Sequence, residues 1–147
     1  MKDGEARTAL EIKTKVEKDP QRFMDLAAQI RKHILDTDII CIEGFSYGSK
    51  GSGVSTQYGI GWLIRVVELL KNGYSYTDVP RTSLKKFASG KGNTKKDELV
   101  LSIYKRWGFE SNSDNIRDAY VLAQIAQYLH KDIELTAFQK EALKKIV

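Results

Sequence analysis

The sequence holds one cysteine, two prolines and two histidines among 147 residues, and each scarcity closes off a class of function. A lone thiol makes neither an intrachain disulfide nor a cysteine-based zinc site. Cys41 lies inside the apolar run at 39–42, where a thiol reads as a small buried hydrophobe. Two prolines leave no room for a proline-rich linker. His33 and His130 stand far apart, and neither belongs to an HExxH or Ser-His-Asp pattern, so zinc-hydrolase and serine-hydrolase chemistry has nothing to rest on. No apolar run approaches the roughly 20 residues of a membrane-spanning helix. The charged start MKDGEARTALEIK has no apolar stretch of the kind a secretory signal needs. The expectation is a cytoplasmic protein without membrane association.

What is present is an ordinary globular composition, 41% apolar and 29% charged, of a length that suits a single domain over 1–147. The net charge of +5 is concentrated. Between Arg81 and Trp107 stand eight basic residues against Asp97 and Glu98, a local excess of +6, while the rest of the chain sums to −1. A basic excess confined to one segment points to a polyanion-binding surface.

Hydrophobic spacing outlines an α/β chain. Thr8, Leu10, Ile12, Thr14 and Val16 alternate with polar neighbours, which predicts a half-exposed strand. Asp19-Pro20 reads as N-cap and first position of a helix carrying Phe23, Leu26, Ala27, Ile30 and Ile34 inward. Residues 39–43 form a second, doubly covered strand, so 8–43 reads as a β-helix-β unit. A glycine-rich loop is expected over 44–61, a helix over 62–71 stopped by Gly73, and a short strand over 74–79. Helices follow over 83–88, 94–107 and 114–130, the last with Ala119, Leu122, Ala126 and Leu129 inward. Thr136 and Gln139 make a capping box that opens a terminal helix.

Four groups of residues carry candidate chemistry. Glu43 ends a buried strand, where α/β folds place active sites and where a charge needs a partner or a metal; the plainer reading is a solvated strand end. Asp114 and Asp118, four apart, share one helix face. Two like charges there repel unless a cation lies between them, although Asp114 also suits an N-cap. Asn115 is a further oxygen donor. The glycine loop fits neither a P-loop nor a dinucleotide fingerprint, but Phe45, Tyr47, Lys50 and Tyr58 suit base stacking and phosphate contact, or a surface loop. Lys85, Lys86, Lys91, Lys95 and Lys96 lie in one basic stretch, and the last two fall in the first turn of the following helix. Positive charge there opposes the helix dipole, a cost that makes sense if a phosphate docks on it; the plainer reading is a solvated face.

The stretches IICIEGFSYGS (39–49), VPRTSLKKFASGKGNTKKDELV (79–100) and SDNIRDAYVLA (113–123), taken in order, resemble the RuvC family of Holliday-junction resolvases, especially its phage-type relatives. The resemblance covers roughly 8–130. It implies an RNase H-like mixed sheet flanked by helices and a homodimer acting on four-way DNA junctions. By position, Glu43 is similar to the family's strand-end glutamate and Asp118 to its final helical aspartate. The third carboxylate falls at Asp114 or Asn115. Phe45 or Tyr47 resembles the aromatic wedge, and the five lysines resemble the backbone-binding ones. The family's N-terminal strand, with its aspartate, has no counterpart before Glu5, so the domain is expected to be N-terminally incomplete.

The expected activity is Mg2+-dependent (or Mn2+-dependent) cleavage of branched DNA, with two ions held by Glu43, Asp118, Asp114 and Asn115. The rivals are a branched-DNA-binding module that does not cut, and an interaction protein whose lysines meet acidic partners.

Overall fold

The structure, a computed structural model, describes residues 1, 5–46, 48, 50–51, 53–130 and 134–146. Its elements are α1 (Gln21–Arg31), β1 (Cys41–Glu43), α2 (Val54–Trp62), β2 (Thr77–Val79), α3 (Arg81–Ser89), α4 (Lys96–Trp107), α5 (Asp114–His130) and α6 (Ala137–Lys144). A π-helical segment, Leu63–Leu69, and a 3-10 turn, Leu70–Asn72, continue α2. The chain packs into two compact units. The first gathers Met1–Glu11, Ile39–Gly44 and Thr77–Val147, the second Ile12–Asp38 and Phe45–Tyr76.

The first unit is built on a parallel pair, β1 beside β2, with Cys41 opposite Thr77, Ile42 opposite Asp78 and Glu43 opposite Val79. Two flanking bonds extend it, Thr77 N–H to Ile40 O and Gly44 N–H to Val79 O, each 2.9 Å. Helices α3, α4 and α5 close over a core of Val79, Leu84, Phe87, Leu99, Ile103, Val121 and Ile125. Aromatic rings fill its edge. Phe109 lies face to face with Tyr120 at 3.9 Å, and Tyr128 tilts onto Phe87 at 5.3 Å. Four helix ends have a local cause. Gly90 (φ 89°) and Gly108 (φ 68°) stop α3 and α4 in the left-handed conformation that glycine alone adopts cheaply. Ser113 Oγ accepts from Ile116 N–H at 3.2 Å and so caps α5. Thr136 and Gln139 form the expected capping box of α6.

In the second unit, α1 packs on α2 and its π-helical continuation, around buried Ala27 and Leu69. Two glycines that read as loop residues lie inside α2. A Cβ on Gly59 would stand 2.6 Å from the Phe23 ring, and one on Gly61 would overlap the Phe45 ring. Close approach of rings to backbone, rather than looping, is what these glycines serve, so the helix begins at Val54 and not at 62.

Other expectations are corrected. Residues 8–16 form no strand; they are irregular and mostly exposed. A strand needs a neighbour to take up its backbone groups, and this segment is divided between the two units. Thr14, counted in its alternation, is instead bonded through its hydroxyl to Asp25 of α1. The β-helix-β unit over 8–43 is therefore absent. Helix α1 starts after Pro20, not at it, because the Asp19 carboxylate is bound to Arg22 (2.7 Å) and caps nothing. The sheet has two parallel strands among the described residues. Ala119 faces solvent; the buried positions of α5 include Arg117, Asp118, Tyr120 and Gln124.

Candidate active site

Cys41 and Glu43 share one face of β1 by strand alternation. Cys41 packs against the core, where burial raises its thiol pKa to about 11. Helix α5 packs on β1, bringing Asp118, 9% exposed, to the same place. The parallel register sets Val79 opposite Glu43, and Pro80 then turns the chain so that Arg81 opens α3 beside both acids. Arg81 Nη1 donates to Glu43 Oε1 at 3.1 Å and to Asp118 Oδ2 at 2.6 Å. The two carboxylates are thus separated by less than the sum of two hydrogen bonds. Burial works against the Arg81 charge, yet the bond to Asp118 and the charges of Asp118 and Glu43 hold its pKa above the ordinary arginine value.

Asp114, one turn before Asp118, points elsewhere. Its carboxylate is bound by Lys96 and by Arg117. The hydrogen bond from Lys96 holds its pKa below the usual carboxylate range, against desolvation and with help from the charges of Lys96, Arg117 and Arg81. Asn115 is exposed. Both line an open polar cleft of about 610 Å3 with Glu11, Lys96, Asn112, Ser113 and Arg117. Among the described residues no group of three or more His, Cys, Asp or Glu side chains gathers as a metal site. Of the sequence candidates, then, Glu43 and Asp118 meet, while Asp114 and Asn115 stand at the cleft.

The lysines divide by partner. Lys86 is bound to Glu141 of α6 at 2.7 Å and Lys96 to Asp114. Lys91 and Lys95 are exposed, and Lys85 is half-buried. The turn carrying Lys91 is well tied. Ser89 Oγ lies 2.7 Å from Lys85 O, Thr94 Oγ1 lies 2.7 Å from Lys91 O, and the two hydroxyls adjoin each other, so their two protons are shared among these three contacts. Lys95 stands at the N-cap of α4 with extended backbone and no capping side chain.

In the second unit Phe45 stacks on Tyr58 (5.1 Å) and lies tilted against Trp62 (4.9 Å), with the guanidinium of buried Arg65 over its ring (4.3 Å). Lys50 is exposed. Tyr47 lies outside the described residues.

Sequence reasoning missed Arg81, Arg117 and Trp62. Arg117 had a signal, an Asp–Arg spacing of three from Asp114. Arg81 had only its place after Pro80 at the start of a basic segment.

No protein-family model and no curated protein matches the sequence. Solved structures do match. T. thermophilus RuvC in complex with a Holliday junction substrate superposes with a TM-score of 0.60 at 17% identity, over 76% of this chain and 70% of that one. A Thermus thermophilus RuvC structure aligns with a TM-score of 0.53 at 15% identity, over 74% and 70%. The fold is RuvC-like. Within this RuvC-like fold, the carboxylate pair stands where a strand end, a helix and the start of α3 converge.

Proposed function

We propose that this chain binds branched DNA and cuts it by metal-dependent phosphodiester hydrolysis at Glu43 and Asp118. The observation that carries the reading is that these two acids, remote in sequence, approach one nitrogen of Arg81 in a fold shared with a protein solved on a Holliday junction substrate.

The donor set suits one magnesium or manganese ion. Magnesium typically takes one or two carboxylates and completes its octahedron with water and phosphate oxygens. The two-ion arrangement finds less support, since Asp114 is committed to Lys96 and Arg117. Bound metal supplies Lewis acidity at a phosphoryl oxygen. The chain's own residues do the rest. Asp118, with a side chain 12% exposed, is the fixed acid, and Glu43, at 29%, is the one open to substrate. Lys91 and Lys95 hold the DNA backbone without reading sequence, so affinity falls with salt. Phe45 and Trp62 offer ring faces to unpaired bases. A homodimer would present two such sites to two strands of a junction.

A second reading, a branched-DNA-binding module that does not cut, is favoured by the guanidinium already seated on the carboxylate pair. One experiment separates the two. The chain is incubated with a labelled four-way junction and with linear duplex, with Mg2+, with Mn2+ and with EDTA, and light scattering gives its oligomeric state. Metal-dependent nicks in the junction support the nuclease. Preferential junction binding without nicks selects the module. Equal binding of linear and branched DNA removes both.

A further inference from the structure

The carboxylate pair already carries a cation. Arg81 Nη1 engages an oxygen of Glu43 and an oxygen of Asp118 together. The Asp118 carboxylate is largely covered, and a covered carboxylate is costly unless paired. Arg81 meets that need with only the tip of its side chain, which remains 42% exposed. Its stem leaves the first position of α3, so the guanidinium can swing toward solvent without unwinding the helix. A divalent ion binding both carboxylates would stand in the region this guanidinium fills, and two cations do not share it.

We propose that Arg81 is a displaceable internal counter-ion, which keeps Glu43 and Asp118 together in the free protein, competes with a divalent cation for them, and passes to a DNA phosphate when the metal enters. The inference rests on the reading of this pair as a metal site. A guanidinium has somewhere to go, because its planar fork matches phosphate bidentately. The consequence is linkage. Metal binding without DNA is weakened by the competitor, a DNA backbone that draws Arg81 away strengthens it, and metal strengthens DNA binding by the same factor. Arg81 is thus a positioning residue that couples metal loading to substrate.

The test is an Mn2+ titration followed by electron paramagnetic resonance, which reads binding and not turnover. Wild type, Arg81→Gln, Arg81→Lys, Glu43→Gln and Asp118→Asn are titrated without DNA and with a four-way junction in the cold, its strands checked as intact. Without DNA, Arg81→Gln should bind Mn2+ roughly tenfold more tightly than wild type, as loss of an adjacent positive charge requires, and should lose the gain that DNA gives wild type. Arg81→Lys should fall between. Equal or weaker Mn2+ binding by Arg81→Gln, while Glu43→Gln and Asp118→Asn lose it, overturns the counter-ion and leaves the metal site standing. Undiminished Mn2+ binding by both acid variants overturns the metal site, and the counter-ion with it. If Arg81→Gln fails to fold, Arg81→Lys decides: DNA-free Mn2+ affinity equal to wild type overturns the proposal.

Discussion

Glu43 and Asp118 accept hydrogen bonds from the same nitrogen, Arg81 Nη1, at 3.1 and 2.6 Å. One acid closes a strand and the other lies in the second turn of α5, so their meeting is a tertiary event that fixes where chemistry can occur. Neutralising either acid should abolish nicking of a four-way junction. Glu43→Gln and Asp118→Asn keep side-chain shape and remove no lysine, so junction binding measured in EDTA, without divalent metal, should stay near the wild-type level. Gel assays of cleavage beside fluorescence anisotropy of binding check this, and wild-type cleavage by either variant would remove the site.

The lysines should not contribute equally. Lys95 is exposed at the start of α4, whereas Lys86 is held by Glu141 at 2.7 Å. Lys95→Glu should weaken DNA binding across all sequences and lower the slope of log affinity against log salt by roughly 1, the effect of one lost phosphate contact. Lys86→Ala should leave that slope close to wild type. Anisotropy over a salt series reads both, and a larger loss from Lys86→Ala would reverse the assignment.

Acid should weaken the first unit through two surface carboxylates. The Lys96 bond lowers the pKa of Asp114, and the Lys86 bond lowers that of Glu141. A carboxyl whose folded pKa is depressed contributes stability that is fully present above its unfolded pKa, near 4, and is lost as pH falls through the folded value. Below about pH 4, Asp114→Asn and Glu141→Gln should therefore lose stability less steeply with falling pH than wild type does. Thermal melts across that range measure the slopes, and parallel slopes would show that these pairs contribute nothing through protonation.

Much of this was legible in the sequence for physical reasons that differ from part to part. Helix α5 could be delimited because its apolar spacing and its acidic start agree, although its cap is Ser113 and not Asp114, which is the first helical residue. Glu43 and Asp118 could be named because a charge beside a buried strand or an apolar helix face is costly and demands a reason. The partner that answers the demand, Arg81, was hidden, since a parallel register and a proline turn bring it there and neither is encoded locally. The strand expected over 8–16 failed because alternation specifies a face but not a neighbour to pair with. The glycine-rich stretch misled for the opposite reason. Composition signalled a loop, while tertiary contact with Phe23 and Phe45 uses the same glycines for close packing inside a helix.

That last contact yields a prediction about the aromatic cluster. Gly61 stands against the Phe45 ring, with an added Cβ overlapping one ring atom, 2.7 Å from another and 3.1 Å from Arg65 Nη1. Arg65 is buried and bonded to Gly61 O at 3.0 Å, so the guanidinium cannot retreat easily and the ring must move. Gly61→Ala should cost about 1–3 kcal/mol of stability, as overpacking does, and should alter the fluorescence of Trp62, whose ring lies 4.9 Å from Phe45. Gly53→Ala is the control, because a Cβ there meets nothing within 4 Å; it should change stability by no more than about 0.5 kcal/mol. If Phe45 and Trp62 supply the base-stacking face, Gly61→Ala should also narrow the difference in affinity between four-way junction and linear duplex, while Gly53→Ala preserves it. A displaced ring, seen by fluorescence, with the junction preference unchanged would remove Phe45 from the DNA interface.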